Sequence, residues 1–478
     1  MNYRMITYIL GWILIFEALF MAVPAITAVC YRESAVWWFL ATAAICALIG
    51  LLLTKIKKPQ SKKLYSREGF VIVSLSWIVL SVFGSLPFVL SGEIPSFIDA
   101  LFETVSGFTT TGASILDDVE ALPKSMLMWR SFTHWVGGMG VLVFIMAFVS
   151  LSGAQNMHIM KAESPGPSVS KLVPRVKTTA LLLYGIYFTL TLIEFILLLF
   201  GGLSPFDALN TAFATAGTGG FGIYGDSIGS FSVYNQIIVI AFMLLFSVNF
   251  NSYFFLLKGK IRDALSLEVR VFFAIVLTSV LIIAFNITEN ISGIGQALLD
   301  SAFSVSSIIS TTGFSTVDFN NWPELSRTIL VLLMFVGACA GSTGGGMKVS
   351  RIIILFKNLG RELLVMIHPK QVKKIRMDGH PVERETVHTV SVYIVAYLAL
   401  MVVSIGIISF DNHDLITNFT AVVSAVNNIG PGLELVGPSA NFGFFSVLSK
   451  LVLIFDMLAG RLELFPMLLL FNPAMWKK

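Results

Sequence analysis

Four stretches of the chain repeat one pattern, in which a short helix-forming segment ends in a turn of small polar residues and glycine. They run from Asp99 to Ser114, Asp207 to Gly222, Asp300 to Ser315 and Thr417 to Gly432. In the first three, an Asp stands thirteen residues before a turn glycine, and in the fourth a Thr keeps that spacing. Long apolar segments flank every copy. The repeat therefore predicts a helix, a half-helix, a turn and a second helix, which is the order of a pore loop.

The chemistry that such turns can supply is cation coordination by backbone carbonyl oxygens. Non-helical backbone at membrane depth is tolerated only where it is buried in protein or lines water, so four turns imply a shared interior. Around a fourfold pseudo-axis their carbonyls can replace the hydration shell of a cation. Glycine allows the required backbone angles, and the C-terminal ends of the half-helices favour positive charge. The predicted filter residues are Thr110, Thr111, Gly112, Thr218, Gly219, Gly220, Thr311, Thr312, Gly313, Asn428, Ile429 and Gly430.

A simpler interpretation exists for any one of these turns. A glycine after a short helix is often only its C-cap, ending a re-entrant or interfacial helix. The fixed spacing in four flanked copies favours the filter. The second turn (TAGTGG) leaves its register open between Gly219 and Gly220, and the thirteen-residue spacing from Asp207 selects Gly220.

A second glycine cluster, GSTGGG, interrupts an otherwise apolar helix after the third turn. Each glycine costs a helix about 1 kcal/mol relative to alanine, so we expect a broken, mobile segment. The nucleotide-binding pattern G-x-x-x-x-G-K-[ST] is not met, and a small-residue seam between helices is the remaining alternative.

Several charged or polar side chains lie inside apolar segments. Placing Arg461 at mid-membrane costs about 2.5 to 3.5 kcal/mol, so it either pairs with Asp456 or Glu463 or faces water in the pore. Glu194 is either functional or hydrogen-bonded to a neighbouring helix. His134 is expected to be a hydrogen-bonded packing residue. Glu103, in the first half-helix, could reinforce its turn, and we predict no catalytic role for these groups.

The composition is that of a polytopic membrane protein. The 478 residues are 56% hydrophobic and 13% charged, with a mean hydropathy of +0.83. The first apolar run is longer than the roughly 7 to 15 residues of a signal-peptide core, which favours a retained helix. Basic residues concentrate at 54–68, 161–177, 258–270 and 348–385. By the positive-inside rule these segments are cytoplasmic, which predicts ten spans with both termini cytoplasmic.

Four segments carry a resemblance to a known family: the four turns, Trp129 to Gly140 (WRSFTHWVGGMG), the run Gly341 to Gly346, and Ala459 to Leu464 (AGRLEL). Over essentially its whole length the chain resembles bacterial potassium-uptake transporters of the Trk/Ktr/HKT superfamily, closest to the TrkH branch. The resemblance implies a potassium filter in which Gly112 is the potassium-type residue. It also implies that GSTGGG is an intramembrane gating loop, and that Arg461 faces the pore below the filter. The gate residues that the resemblance predicts are Gly341, Ser342, Thr343, Gly344, Gly345, Gly346 and Arg461.

The resemblance also implies partners. It points to a homodimer with one pore in each protomer and to a cytosolic nucleotide-binding regulator of the TrkA type, docked on the basic face. That face could equally serve orientation and anionic lipid headgroups. We expect K⁺ as the transported ion, no nucleotide or organic cofactor on this chain, no nucleic-acid partner, and a bacterial inner-membrane location.

The predicted fold class is an all-α integral membrane protein with two leading helices and four helix–pore loop–helix units around a pseudo-fourfold pore. The predicted divisions are 1–68 for the leading helices and 69–177, 178–270, 271–385 and 386–478 for the four units. An ion-coupled secondary transporter of a small solute is the rival function, because such proteins also use broken helices and repeats. An intramembrane enzyme is disfavoured, since no H-E-x-x-H pair occurs among the six histidines.

Overall fold

The structure is a computed structural model that describes residues 1–56, 65–140, 176–288, 293–371 and 373–476. Much of the basic segment 54–68 and nearly all of 161–177 lie outside the described residues, as do Lys477 and Lys478. The described part is predominantly helical, with one short hairpin between helices. The predicted all-α class is confirmed. The unit boundaries at residues 68, 177, 270 and 385 remain predictions.

Three helices precede the first pore unit: α1 (Tyr3–Phe20), α2 (Ala22–Tyr31) and α3 (Val36–Ile56). Helix α1 packs along α3 and also against the first helix of the first unit. The α1–α3 contact is close because glycines face each other. A Cβ atom on Gly50 would lie 2.7 Å from the carbonyl oxygen of Gly11. Small residues at such a crossing let two backbones approach in a membrane.

The remaining helices repeat one order, and each unit contributes a short pore helix between longer ones. Unit one has α4 (Ser66–Gly84), α5 (Leu86–Ser91), pore helix α6 (Phe97–Phe108) and α7 (Lys124–Gly138). Unit two has α8 (Val176–Phe200), pore helix α9 (Pro205–Gly217), α10 (Val233–Ser247), α11 (Phe250–Leu257) and α12 (Ile261–Ala264). Unit three has α13 (Leu267–Ile287), pore helix α14 (Ile294–Ile309), α15 (Glu324–Val336), α16 (Val349–Ile367), β1 (Arg376–Met377) and β2 (His380–Pro381). Unit four has α17 (Arg384–Ile408), pore helix α18 (Leu415–Asn427), α19 (Val447–Arg461), α20 (Phe465–Leu470) and α21 (Pro473–Trp476).

The four units close into a ring. Each pore helix packs against both long helices of its own unit. Each also contacts the second long helix of the preceding unit: α7 packs on α9, α10 on α14, and α15 on α18. The series ends with α19 on α6, so the fourth unit returns to the first. This cyclic order places the C-terminal ends of all four pore helices around one centre.

Sequence-local caps explain where the pore helices begin. The side chains of Ser96, Ser204 and Asp414 each accept a hydrogen bond from the backbone amide three residues later, which is the N-cap arrangement. Helix α14 instead begins after Gly293, without a side-chain cap. The repeated Asp of the first two units is the third residue of its pore helix. Its negative charge there complements the positive end of the helix.

By length and composition, six described helical segments can cross a membrane, and the pair α10–α11 makes a seventh if its 92° bend lies within one span. The six are Tyr3–Tyr31, Val36–Lys55, Ser66–Ser91, Ala180–Phe200, Leu267–Ile287 and Arg384–Asp411. The second long helices are shorter: α7, α10 and α19 have 15 residues and α15 has 13. About 20 residues are needed to span the hydrocarbon core. The helices α10, α15 and α19 therefore need the segments that follow them to complete a crossing, and residues 141–175 after α7 lie outside the described part of the chain.

The breaks in the second helices differ from the continuous helices predicted for units two and four. In unit two, Asn249 accepts a hydrogen bond from the amide of Asn251 and starts a new helix. In unit four, Glu463 and Leu464 both have positive φ, at 56° and 66°, which ends α19. In unit three the irregular segment runs from Gly337 to Lys348 and is longer than the predicted six residues, because Gly337 already has φ of 68°.

Candidate ion-conduction site

The four predicted filter turns share one backbone conformation. In each, the first and third residues have positive φ and the second does not. The first positions are Thr110 (56°), Thr218 (54°), Thr311 (59°) and Asn428 (55°), and the third positions are Gly112 (83°), Gly220 (74°), Gly313 (86°) and Gly430 (102°). Non-glycine residues rarely adopt this region. In the second turn the pattern falls on Gly220 at the third position, with Gly219 at the second.

The turns contact one another in a closed cycle. A Cβ atom on Gly112 would lie 2.1 Å from the carbonyl oxygen of Gly219 in the next unit. A Cβ atom on Gly220 would lie 2.0 Å from the carbonyl oxygen of Thr312. One on Gly313 would lie 2.1 Å from that of Ile429, and one on Gly430 would lie 2.9 Å from that of Thr111. Each second-position carbonyl therefore lies against the glycine of a neighbouring unit. Any side chain at the third position would meet backbone that cannot move aside easily.

These second-position carbonyls belong to buried residues. Thr111 is 0% exposed, Thr312 is 0% exposed and Ile429 is 0% exposed. Among the described residues, none of the four carbonyls accepts a hydrogen bond from a backbone amide. Buried backbone carbonyls are nearly always paired. Four such oxygens at one centre, at the negative ends of four helices, form a site suited to a dehydrated cation.

An open vestibule of about 150 Å³ leads to one side of this ring. All four third-position glycines line it, together with Asp117 and Asp118, whose carboxylates add negative charge at the mouth. The second-position residues are absent from its lining, so they lie deeper than the glycines. A cation entering from the vestibule meets the glycine level of the ring first.

Arg461 lies on the opposite side of the ring. Its Nη1 donates to the hydroxyl of Thr110 at 3.1 Å and to the carbonyl oxygen of Thr343 at 2.9 Å. Its Nη2 donates to the carbonyls of Gly137 and Gly138 at 2.6 and 2.7 Å. The guanidinium thus connects a filter threonine to the GSTGGG loop. The guanidinium therefore places a positive charge on this side of the ring.

Two acidic residues, Asp456 and Glu463, lie close to Arg461 in the sequence and contact neighbouring helices. The hydroxyl of Ser404 donates to Asp456 at 2.8 Å, and Glu463 forms an ion pair with Arg351. Asp456 thus links α19 to α17, and Glu463 links the end of α19 to α16. Glu194, the other acidic residue singled out in an apolar segment, is fully buried in α8.

The GSTGGG loop lies directly against the filter turns. The amide of Gly345 donates to the hydroxyl of Thr311 at 2.6 Å, and the amide of Gly346 donates to the carbonyl of Asn427 at 3.0 Å. A Cβ atom on Gly344 would lie 2.8 Å from the carbonyl oxygen of Ser310. The loop glycines thus permit contact between the loop and the ends of two pore helices.

The remaining predicted gate residues contact unit two or stay within the loop. The hydroxyl of Thr343 donates to the carbonyl of Phe246 at 3.1 Å, and the carbonyl of Gly341 accepts from the amide of Phe250 at 3.0 Å. The hydroxyl of Ser342 donates to the carbonyl of Cys339 at 2.6 Å, within the loop. The loop therefore fills the bend between α10 and α11.

Two charged residues that the sequence analysis did not select hold this loop. One Glu268 carboxylate oxygen accepts from the amides of Ala340 and Ser350, at 2.7 and 3.0 Å, so it joins the two ends of the loop. The buried ammonium of Lys348 donates to the carbonyl of Gly344. The sequence feature that could have drawn attention to Glu268 is its charge at the start of an apolar helix. Its partners lie more than seventy residues away in sequence.

His134 and Glu103 lie behind the filter. The imidazole Nδ1 of His134 is 2.7 Å from the carbonyl of Gly107, and Nε2 accepts from the amide of Phe221 at 3.2 Å. His134 thus bridges the first pore helix and the second turn. Glu103 accepts from the amide of Ile115 at 3.0 Å and pairs with Arg130 at 2.8 Å. Arg130 was not selected from the sequence.

The closed ring of four units and the long apolar helices define a polytopic helical membrane protein. A family model described as "TrkH: Cation transport protein" matches residues 37–478. The chain is 37% identical to the Trk system potassium uptake protein TrkH of Escherichia coli (strain K12) over 490 aligned positions, covering all of both chains. It is 30% identical to an uncharacterised cation transporter of Methanocaldococcus jannaschii, covering 99% of this chain and 96% of that one.

The crystal structure of the potassium transporter TrkH from Vibrio parahaemolyticus matches the fold with a TM-score of 0.90 at 34% identity, and the match covers all of both chains. The protein belongs to the TrkH family of cation transport proteins. The resemblance inferred from the turns and the AGRLEL segment is therefore confirmed, and its relatives are ion transporters rather than enzymes.

Proposed function

We propose that this protein takes up potassium through a channel-like pore whose selectivity filter is the ring of turns centred on Gly112, Gly220, Gly313 and Gly430. The single observation that carries the proposal is the closed cycle in which each second-position carbonyl lies against the glycine of a neighbouring unit. Relatives named as potassium uptake proteins, aligned over the whole chain, supply the choice of ion. The transported K⁺ is the substrate, and the filter oxygens are its ligands.

Gly341 to Gly346 and Arg461 form the gate in this proposal. The loop contacts the filter at Thr311, and Arg461 joins Thr110 to the loop carbonyl of Thr343. A loop held by a few hydrogen bonds can move as a unit when they break. Loop displacement would free the inner side of the ring, and the arginine would remain as an electrostatic barrier.

The proposed setting is a bacterial inner membrane with both termini cytoplasmic. A homodimer, a TrkA-type nucleotide-binding regulator on the basic face, and anionic lipid complete the proposed assembly. The described part of that face includes α16 and the β1–β2 hairpin, where Lys357 donates to the carbonyl of Arg376 at 2.8 Å. This chain is proposed to carry no nucleotide itself, so nucleotide control would act through the separate subunit.

The cyclic contacts favour a pore over an ion-coupled carrier of a small solute. Carriers of that kind usually combine inverted repeats with a few discontinuous helices. Here all four units contribute the same turn, with the same backbone angles, to one centre. The vestibule above the ring, at about 150 Å³, is also smaller than the roughly 300 to 1,000 Å³ of ordinary small-molecule sites.

The test is flux into liposomes that contain the purified chain, with and without a TrkA-type regulator from a relative's system. Rubidium uptake driven by an outward potassium gradient should occur and should be reduced by competing potassium more than by competing sodium. Cation flux absent under both conditions, or uptake only of an organic solute together with an ion, would contradict the proposal.

A further inference from the structure

A buried ion pair lies directly behind the filter. Arg130 in α7 and Glu103 in pore helix α6 are 3% and 1% exposed, and Nε of the arginine is 2.8 Å from a carboxylate oxygen. Burying two charges is costly unless they are paired and their other polar atoms are satisfied. Here both side chains use their remaining polar atoms on the filter turns, so their contacts show what the pair does.

The two partners together hold both turns, and Nη2 of Arg130 also donates to the hydroxyl of Ser114 at 3.4 Å. The Glu103 carboxylate accepts from the hydroxyl of Ser114 at 3.0 Å and from the amide of Ile115 at 3.0 Å, just after the first turn. Arg130 donates to the carbonyl of Gly222 at 3.1 Å, just after the second turn. Its guanidinium also lies over the ring of Phe221, 4.1 Å from the centroid. One ion pair thus connects the outer ends of turns one and two.

The connected positions correspond to each other. Ser114 follows Gly112 by two residues, and Gly222 follows Gly220 by two residues. The first turn also contacts the second directly, since a Cβ atom on Gly112 would lie 2.1 Å from the carbonyl oxygen of Gly219. A shift of Gly222 relative to Ser114 would therefore change the distance between two carbonyls of the ring.

The other seams between turns are joined differently. Turns two and three are joined by a hydrogen bond from the amide of Ile228 to the carbonyl of Ser315, at 3.0 Å. Turns four and one are joined by a bond from the amide of Phe442 to the carbonyl of Ser114, at 2.8 Å. Side-chain contacts also join the other seams, and Arg327 forms an ion pair with Glu434 between units three and four. The charged pair between turns one and two differs from that pair in its burial, because both of its side chains are almost fully buried.

We propose that the Glu103–Arg130 pair is a specificity-determining brace that fixes the spacing of turns one and two and thereby the preference of the ring for potassium over sodium. Both are positioning residues, because they act through the turns and touch no filter carbonyl. Filter selectivity depends on the number and spacing of coordinating oxygens, and a loosened turn lets the ring adapt to the smaller sodium ion. The inference rests on the proposed potassium filter.

The test measures potassium-to-sodium permeability ratios from reversal potentials in bilayers, for wild type, Glu103→Gln and Arg130→Lys. Glu103→Gln removes the charge of the brace, and Arg130→Lys keeps the charge but loses the fork that reaches Gly222. We expect the ratio to fall about tenfold in Glu103→Gln, which corresponds to about 1.4 kcal/mol of differential binding. A smaller fall in the same direction is expected in Arg130→Lys.

Asp99→Asn is the matched control. Asp99 forms an ion pair with Lys450 at 2.5 Å at the other end of the same pore helix, so its loss removes a charge pair without touching the turns. The ratio should stay at the wild-type value in this variant. Equal falls in Asp99→Asn and Glu103→Gln would overturn the brace, because they would show a general loss of pore-helix stability.

Folding is checked by size-exclusion profiles. If Glu103→Gln does not fold, the permeability ratio of Arg130→Lys tests the proposal instead. A folded, conducting variant of either residue with a wild-type ratio overturns the proposal. Failure of the filter itself looks different. In that case wild type shows no preference for potassium, and the proposed function fails before the brace is tested.

Discussion

Arg461 gives the most quantitative prediction of the pore account. Its guanidinium donates to the Thr110 hydroxyl at 3.1 Å and to the Thr343 carbonyl at 2.9 Å, so it lies where an ion would leave the ring. Replacing it with glutamine removes the positive charge and keeps a polar side chain. The substitution also releases the carbonyls of Gly137 and Gly138, which would then attract a cation.

The size of the effect follows from Coulomb's law. A cation at the level of Thr110 would be about 6 Å from the guanidinium, which at an effective dielectric constant of about 20 gives a repulsion of about 3 kcal/mol. Each 1.36 kcal/mol of barrier changes a rate about tenfold. If this repulsion is the main barrier, Arg461→Gln should raise potassium flux by up to about a hundredfold.

The assay is rubidium influx into liposomes at matched protein density, with Arg461→Lys as the control that keeps the charge. The lysine variant should stay within a fewfold of wild type, and the glutamine variant should exceed both. If correctly folded Arg461→Gln carries no more flux than wild type, then the arginine does not oppose ion passage and the barrier lies elsewhere. Equal gains in both variants would assign the effect to lost hydrogen bonds.

Further predictions concern the loop and the second turn. Glu268→Ala leaves the amides of Ala340 and Ser350 without their acceptor, which costs about 1 to 3 kcal/mol. Cation flux without the regulator should therefore rise in Glu268→Ala, and it should rise less in Glu268→Gln. Gly344→Ala places a Cβ 2.4 Å from the nearest side-chain carbon, and single-channel recording should show a destabilised closed state. A Cβ on Gly219 would meet the His134 ring at 2.3 Å, whereas one on Gly220 would meet a backbone oxygen at 2.0 Å. Adding His134→Ala should therefore restore flux to the Gly219→Ala variant but not to the Gly220→Ala variant. Equal rescue of both variants would contradict the assignment of Gly220 to the third position of the second turn.

The sequence predicted the features that depend on local chemistry. The repeats were placed from Asp99 and Asp207, and the pore helices begin close to these residues, after the caps Ser96 and Ser204, which the sequence analysis did not use. The thirteen-residue spacing reflects a constant length of chain between the position of the repeated Asp and the turn glycine, although Asp300 is the seventh residue of α14 and does not lie at its start. Gly112 and its counterparts were identifiable because backbone positions with positive φ favour glycine. The exact backbone pattern, with a positive φ also at Thr110, has no comparable sequence feature.

The remaining features depend on contacts between distant segments. Glu268 and the amide of Ala340 are 72 residues apart, and Arg461 and Thr110 are 351 residues apart. Such pairs are set by the closure of the ring, which no periodicity encodes. The bend after α10 is a milder case, because Asn249 is a good N-cap but lies within an apolar run that favours a continuous helix.

The central claim is that four glycine turns form one carbonyl filter, and Gly112→Ser tests it most directly. Gly112 has φ of 83°, and a Cβ there would lie 2.1 Å from the Gly219 oxygen. Gly185→Ser is the matched control, because nothing lies within 4 Å of a Cβ at that position. The measurement is the potassium-to-sodium permeability ratio in liposomes or bilayers. The account predicts a reduced ratio in Gly112→Ser and a wild-type ratio in Gly185→Ser, whereas robust flux with unchanged selectivity in Gly112→Ser would contradict it.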